Sequence, residues 1–173
     1  MAGLEFSRLL EVDARLTSKM RIAERPGGLR TSAALLAHSG DSWFWLLGLG
    51  VVWLAGNAFW KTRAVSLAAG VLLTAVIVLA VKFLVRRKRP EGTWGGIYRS
   101  TDPHSFPSGH AARAVMLAML ALALGPAWLA VLLVLWAPLV CLARVAMGLH
   151  YLSDVIAGIG FGLVMGIVIG LAL

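Results

Sequence analysis

Residues 127–173 read AWLAVLLVLWAPLVCLARVAMGLHYLSDVIAGIGFGLVMGIVIGLAL. Two apolar runs, about Ala127–Met147 and Val155–Leu173, flank a short polar connection holding Gly148, His150, Ser153 and Asp154. Each run is close to the roughly 20 residues that a helix needs to cross a bilayer. Working outward, three further apolar spans precede this pair, at about Ser42–Trp60, Val65–Val85 and Gly109–Leu124. Their linkers are Lys61-Thr62-Arg63, a long Arg86–Ser108 loop and a tight Gly125-Pro126 turn. Antiparallel threading brings Val85, Gly109, Met147 and Val155, all span ends, to one face of the membrane.

Composition agrees. The chain has 173 residues, enough for one domain, and is 60% hydrophobic and 14% charged, more apolar surface than a soluble fold of this size can hide. The net charge of +8 suits anionic headgroups or phosphorylated substrates. The charges flank apolar spans and form no soluble basic domain, which argues against nucleic acid as a partner. Cys141 stands alone in an apolar run and reads as a small core residue. The acidic Glu5, Glu11, Asp13 and Glu24 among the N-terminal arginines, with no apolar core, exclude a secretory signal peptide there.

Leu4, Phe6, Leu9, Leu10, Val12 and Leu16, interleaved with charges, predict an amphipathic helix on the membrane surface over about residues 3–19. Glu24-Arg25-Pro26-Gly27-Gly28 breaks it, and Thr31–His38 reads as one or two more turns. The predicted organisation is an interfacial segment over 1–40 and a membrane domain over 41–173. The fold class is an all-α bundle of about five transmembrane helices plus the N-terminal interfacial helix. Trp43, Trp60, Trp94 and Trp128 fall near span ends, as interfacial aromatics do, while Trp45, Trp53 and Trp136 read as packing residues. Gly158, Gly162, Gly166 and Gly170 recur every fourth residue, a row that permits close helix contact inside the bundle or between two copies of the chain.

Three polar segments meet on the shared face. Lys82 and Arg89 lie seven apart, about two helical turns, and point to one side if the helix continues past Val85. Guanidinium offers a planar fork for phosphate oxygens and ammonium a point charge. Arg86, Arg87 and Lys88 read as an ordinary basic flank. Pro107-Ser108-Gly109-His110 opens a helix, whose N-terminal N–H groups and dipole favour an anion. Ser108 adds a hydroxyl, Gly109 allows close backbone approach, and His110 is placed to protonate a leaving oxygen. Arg144 lies deep enough in an apolar run to need an anionic partner. His150 and Asp154, at i and i+4, would be neighbours on one helical face. A carboxylate there fixes the imidazole tautomer and leaves the other nitrogen as nucleophile.

Asp102, His104 and Arg113 are possible substrate contacts, with a solvated loop as the plainer reading of the first two. Asp41 or Ser39 reads as a helix cap, near His38. Glu91 and Tyr98 receive no role. No His/Asp/Glu cluster has metal-ligand spacing, so neither metal nor cofactor is expected.

The three segments in order, Lys-x6-Arg-Pro, Pro-Ser-Gly-His and Arg-x5-His-x3-Asp, resemble the type 2 phosphatidic acid phosphatase superfamily, over roughly residues 40–173. Ala143 stands where that family usually has serine. The resemblance implies that His150 forms a phosphohistidine, that Asp154 orients it, and that His110 protonates the leaving group and then activates water. Lys82, Arg89, Ser108, Gly109 and Arg144 would hold the phosphoryl oxygens. The expected activity is metal-independent hydrolysis of a lipid phosphomonoester or pyrophosphate. Candidate substrates are polyprenyl-phosphoryl phosphoribose, phosphatidylglycerophosphate and undecaprenyl pyrophosphate. The alternative is a non-catalytic membrane protein that binds lipid phosphates. The expected location is a bacterial plasma membrane. Arg86, Arg87, Lys88, Arg89, Arg99 and the N-terminal basic residues outnumber Lys61 and Arg63 on the other face, which predicts a cytoplasm-facing site.

Overall fold

The structure, a computed structural model, describes residues 2–92 and 102–172. Trp94, Tyr98 and Arg99 therefore lie outside the described residues. Seven helices occur among the described residues: α1 (Ala2–Met20), α2 (Gly28–Ser39), α3 (Ser42–Ala55), α4 (Ala58–Val85), α5 (Gly109–Leu124), α6 (Ala127–Ala146) and α7 (Leu152–Ala172). Three of them, α4, α6 and α7, are long and apolar enough to cross a membrane. α3 and α5 are apolar but shorter, at 14 and 16 residues.

Helix boundaries differ from the sequence reading where a local cap wins over charge. Asn57 accepts a hydrogen bond from Trp60 N at 3.2 Å and starts α4 there. Lys61, Thr62 and Arg63, expected as a linker, are thus inside α4, with Arg63 Nε donating to Leu124 O at 2.5 Å. At 28 residues α4 is about 42 Å long. α2 is also longer than expected, at 12 residues.

α5 is the central helix. Its alanines are small enough for helices to close on it from several sides, and Ala111, Ala112, Ala114, Met116, Leu117, Leu120 and Ala121 are all buried. The core adds Leu67 and Val71 from α4, Leu133 and Val140 from α6, and Met165 and Ile169 from α7. Large apolar side chains such as Leu79, Leu84, Leu135, Val164 and Leu171 point outward, the arrangement of a protein whose solvent is lipid.

The glycine row faces α5. A Cβ at Gly158 would stand 2.5 Å from Ser108 O, and one at Gly162 would stand 2.4 Å from Ala112 O. Gly166 and Gly170 face Met119 and Ala123 of the same helix. The row therefore packs against α5 inside the bundle, the first of the two readings its spacing allows. Trp45 and Trp136 pack with ring centroids 5.2 Å apart, but Trp53 is exposed, with Lys61 Nζ 5.6 Å from its ring centre.

The polar side of α1 docks on the start of α7. Leu152 N donates to Thr17 Oγ1 at 3.0 Å and Ser153 N to Asp13 Oδ1 at 3.0 Å. Leu9, Leu10, Val12 and Leu16 remain exposed on the other side of α1. α2 packs on the end of α6 through Ala33, Ala37, Ala143 and Met147.

Candidate active site

The α6–α7 connection turns at Gly148, whose φ of 65° favours glycine, and Leu149 N donates to Arg144 O at 3.1 Å. This turn delivers His150 into the protein interior, where it is 1% exposed. His150 Nδ1 lies 2.8 Å from Ser105 O. A carbonyl only accepts, so Nδ1 carries the proton and Nε2 presents its lone pair. Nε2 faces Arg89 Nη1 at 3.1 Å and Arg144 Nη2 at 3.4 Å. Burial, then the positive charges of Arg144, Arg89 and Lys82, hold the imidazole well below its ordinary range. It is a neutral base with its open nitrogen among cations, which suits attack on an anionic phosphorus centre.

Asp154 does not bond His150 as the i, i+4 spacing predicts. Its Oδ2 is 3.7 Å from Nδ1. α7 begins at Leu152, so His150 precedes the helix, and Asp154 Oδ2 reaches back to Tyr151 N at 2.8 Å, as a third-position carboxylate does in a capping box. Asp154 Oδ1 accepts from Arg87 Nη1 at 2.7 Å. Arg87 is therefore no ordinary flank. It also donates to Ser153 Oγ and Asp13 Oδ2, both at 2.7 Å, and stacks on the Tyr151 ring at 4.0 Å. Burial pushes the Asp13 carboxyl up, but its bonds from Ser153 and Arg87 outweigh this and hold it below the usual value.

Lys82 and Arg89 meet although the helix does not continue to Arg89. α4 ends at Val85, Arg86 adopts a left-handed φ of 52°, and the chain folds back. Both cations converge on Asp102: Lys82 Nζ donates to its carboxylate, and Arg89 donates from Nη2 at 2.9 Å and from Nε to the carbonyl at 2.8 Å. Asp102 is thus a partner of the cation pair, not a solvated loop residue. His104 gives Lys82 its carbonyl at 3.0 Å and sets its ring edge against Phe83.

The Pro107–His110 segment is keyed to α7 by Ser108 N, which donates to Asp154 O at 2.9 Å. Ser108 Oγ is buried and makes no hydrogen bond among the described residues, the condition of a hydroxyl suited to a phosphate oxygen. A Cβ added at Gly109 would meet Val78 Cγ1 at 3.4 Å, an ordinary contact. His110 Nε2 lies 2.6 Å from Asp41 Oδ1, a partner that sequence reasoning assigned to helix capping. Arg144 is fully buried, and its charge bears on both imidazoles. Arg113 points to the α2–α3 turn, donating from Nη1 to Gly40 O at 2.7 Å.

The structure therefore gathers Lys82, Arg89, Arg144 and His150, with Asp154 linking Ser108 to Arg87 beside them. Among the described residues no group of His, Cys, Asp and Glu is arranged to hold a metal. Arg87 and Asp41 take roles that the sequence does not disclose: each is a charged residue beside an apolar span, which marks it as notable but names no partner.

The profile of the PAP2 superfamily matches residues 63–172. The chain is 31% identical over 163 residues to the decaprenylphosphoryl-5-phosphoribose phosphatase of Mycobacterium tuberculosis strain H37Rv, covering 92% of this chain and 88% of that protein. It is 32% identical over 117 residues to an undecaprenyl-diphosphatase of Sulfolobus acidocaldarius, covering 62% and 56%. Among solved structures, Aquifex aeolicus LpxE superposes with a TM-score of 0.69 at 24% identity, covering 90% of this chain and 94% of that one. The PAP2-type phosphatidylglycerolphosphate phosphatase of Bacillus subtilis superposes with a TM-score of 0.72 at 20% identity, covering 97% and 87%. These two show the fold.

Proposed function

The chain belongs to the PAP2 superfamily, and from that premise and the site geometry we propose that it is a membrane phosphatase that hydrolyses a lipid phosphate ester through a phosphohistidine. The observation that carries the proposal is His150, buried and neutral, with Nδ1–H donated to Ser105 O and Nε2 turned toward Arg89 and Arg144. In this reading Nε2 attacks phosphorus as the bond to the leaving oxygen breaks, and His110 gives that oxygen its proton. Water then attacks the phosphohistidine, His110 takes the water proton, and Nε2 leaves. Lys82, Arg89, Arg144 and Ser108 stabilise the charge that gathers on the phosphoryl oxygens. Gly109 offers its backbone there. Asp154 supports the imidazolium across 3.7 Å and fixes Ser108 through its own carbonyl.

Among lipids we favour a phosphosugar carried on a polyprenyl phosphate, because the relative of that substrate class aligns over 92% of this chain. Phosphatidylglycerophosphate and undecaprenyl pyrophosphate are the competing substrates. α3 and α5 complete five spans in this reading, and the exposed apolar face of α1 lies in the headgroup region. Residues 1–40 then form an interfacial segment and 41–173 the catalytic bundle. The excess of basic residues on the site's side supports a cytoplasm-facing site. An N-terminal reporter found outside the cell overturns this orientation.

The test is phosphate release by purified protein in detergent, with chelator present, across a panel of phosphorylated lipids. We expect release that survives chelation, is inhibited by vanadate and is absent in His150→Ala. Release that persists in His150→Ala removes the phosphohistidine.

A further inference from the structure

Between α2 and α3 the chain turns through Gly40 and Asp41. Asp41 occupies the N-cap position of α3, where an aspartate ordinarily accepts from an N–H of its own helix. It makes no such bond. Its Oδ1 is instead 2.6 Å from His110 Nε2 and its Oδ2 is 3.1 Å from His38 Nδ1. The turn is held from several helices. Arg113 of α5 donates to Gly40 O at 2.7 Å, Trp136 of α6 to Ser39 Oγ at 2.8 Å, and Trp45 of α3 to Ser39 O at 2.9 Å. Gly40 itself lies against the imidazole: a Cβ there would be 3.3 Å from His110 Cδ2 and 3.1 Å from Val140 Cγ1. The superfamily profile begins at residue 63, so the match says nothing of Asp41.

We infer that Asp41 is a positioning residue for His110, fixing the ring so that Nδ1 is the nitrogen that exchanges a proton with the reacting oxygens. The inference rests on the reading of His110 as general acid and base. With Nε2–H donated to the carboxylate, the tautomer and the ring plane are set. His110 enters the first step as the imidazolium, and its Nδ1 proton passes to the leaving oxygen as the bond from that oxygen to phosphorus breaks. In the second, Nδ1 takes a proton from water as the water oxygen bonds to phosphorus and His150 Nε2 is released. Asp41 stays ionised throughout. Burial pushes its carboxyl up, but the bond and charge of His110, then of His38, hold it down to about 2. The charged groups that bear on His110 are Arg144 of α6, Arg113 of its own helix and Asp41. His38, on the second carboxylate oxygen, has a side chain 52% exposed and connects the pair to solvent.

The experiment compares Asp41→Asn, Asp41→Glu and Asp41→Ala in the full-length protein in detergent. The probes are short-chain phosphatidic acid, whose alkoxide leaves poorly, and p-nitrophenyl phosphate, whose phenolate needs little proton donation. For Asp41→Asn on phosphatidic acid we expect kcat and kcat/KM to fall about 10- to 100-fold, with KM within about threefold. For p-nitrophenyl phosphate kcat/KM, which stops at formation of the phosphoenzyme, should fall less than about fivefold. Removing the anion lowers the affinity of His110 for its proton, so the alkaline limb on phosphatidic acid should move to lower pH by about one unit. Asp41→Glu should recover part of the loss. Equal falls on both substrates, an unmoved alkaline limb, or three variants that do not fold overturn the inference and make Asp41 structural. His150→Ala separates this from the reading beneath it: if wild-type protein shows no His150-dependent phosphate release, the enzyme proposal itself fails, whatever Asp41 does.

Discussion

A methyl group added to α7 should act with opposite sign on its two faces. At Gly162 a Cβ would stand 2.4 Å from Ala112 O, 2.8 Å from Val115 Cβ and 3.1 Å from Met116 N. Two of these are backbone atoms of the buried central helix, which cannot swing aside as a side-chain tip can. Restoring ordinary contact requires α5 and α7 to part by about 1 Å. Overpacking of this kind costs about 1–3 kcal/mol, and the better helix propensity of alanine returns about 1 kcal/mol. Because the obstacle is backbone, Gly162→Ala should lose about 1–2 kcal/mol net. Gly160, two residues earlier, is exposed with nothing within 4 Å, so Gly160→Ala keeps the whole propensity gain. The two variants should therefore differ by about 2–3 kcal/mol, or about 5–10 °C in Tm for a chain of this size. Thermal unfolding followed by tryptophan fluorescence in one detergent reads the difference. Gly162→Ala melting as high as Gly160→Ala would refute the close α5–α7 contact. Gly158→Ala carries the same argument into the site: its Cβ meets Ser108 O at 2.5 Å, on the segment that Asp154 O holds. Its phosphate release should fall more than its Tm predicts.

Two further outcomes follow from the charges. His150 is held well below the ordinary imidazole range, so it remains an unprotonated nucleophile as pH falls, and the acid limb of kcat/KM should lie below about pH 6.5; a limb at or above that value refutes the assignment. The linkage has the matching sign: unfolded chains bind this proton near pH 6.5 while the folded site resists it, so stability should decline as pH drops below about 6.5. Arg87→Ala strips a guanidinium from the fully buried Asp154 and should lower stability by about 2–3 kcal/mol, somewhat less than a fully buried pair because Arg87 is 17% exposed. Lys88→Ala, at an exposed neighbour, should stay within about 0.5 kcal/mol. Equal melting of the two returns Arg87 to the basic flank.

What the sequence disclosed, and what it withheld, divides by range. Hydrophobic runs announced α4, α6 and α7 because lipid demands an unbroken apolar length, and Arg144 stood out because a charge inside such a run needs a reason. The three polar segments could be joined because antiparallel threading is a strong constraint. Asp41 shows the opposite case. Local chemistry correctly placed it at a helix start, yet its carboxylate serves a histidine 69 residues away, and no local rule reports such a partner. Arg87 was hidden among four neighbouring basic residues; only the left-handed turn at Arg86 decides which of them points inward. Asp154 was legible as a partner of the site, but the spacing implied a shared helical face, and α7 starts two residues too late for that. α4 starts at Ala58 because the Asn57 cap fixes the helix there, ahead of the charges at Lys61 and Arg63 that suggest a linker.

The charges of the site also suggest how it accommodates an anionic substrate. Buried cations are costly unless paired, and Arg87, Lys82 and Arg89 take carboxylates from other segments of the chain. Asp154 serves Arg87, while Asp102 serves Lys82 and Arg89. The carboxylates are not equally fixed: Asp154 is 0% exposed, Asp13 12% and Asp41 15%, whereas Asp102 is 35% exposed. In the proposed reaction a phosphoryl group at His150 Nε2 would meet Arg89 at Nη1, beside the Nη2 and the Lys82 Nζ that hold Asp102, and Asp102 is the most exposed of these carboxylates. Exchange of one anion for the other would keep Lys82 and Arg89 paired throughout. On the proposed reading Asp102 would lower the affinity for phosphate by competing with it, while the deeper carboxylates would hold His150 and His110 in the geometry their proposed roles need.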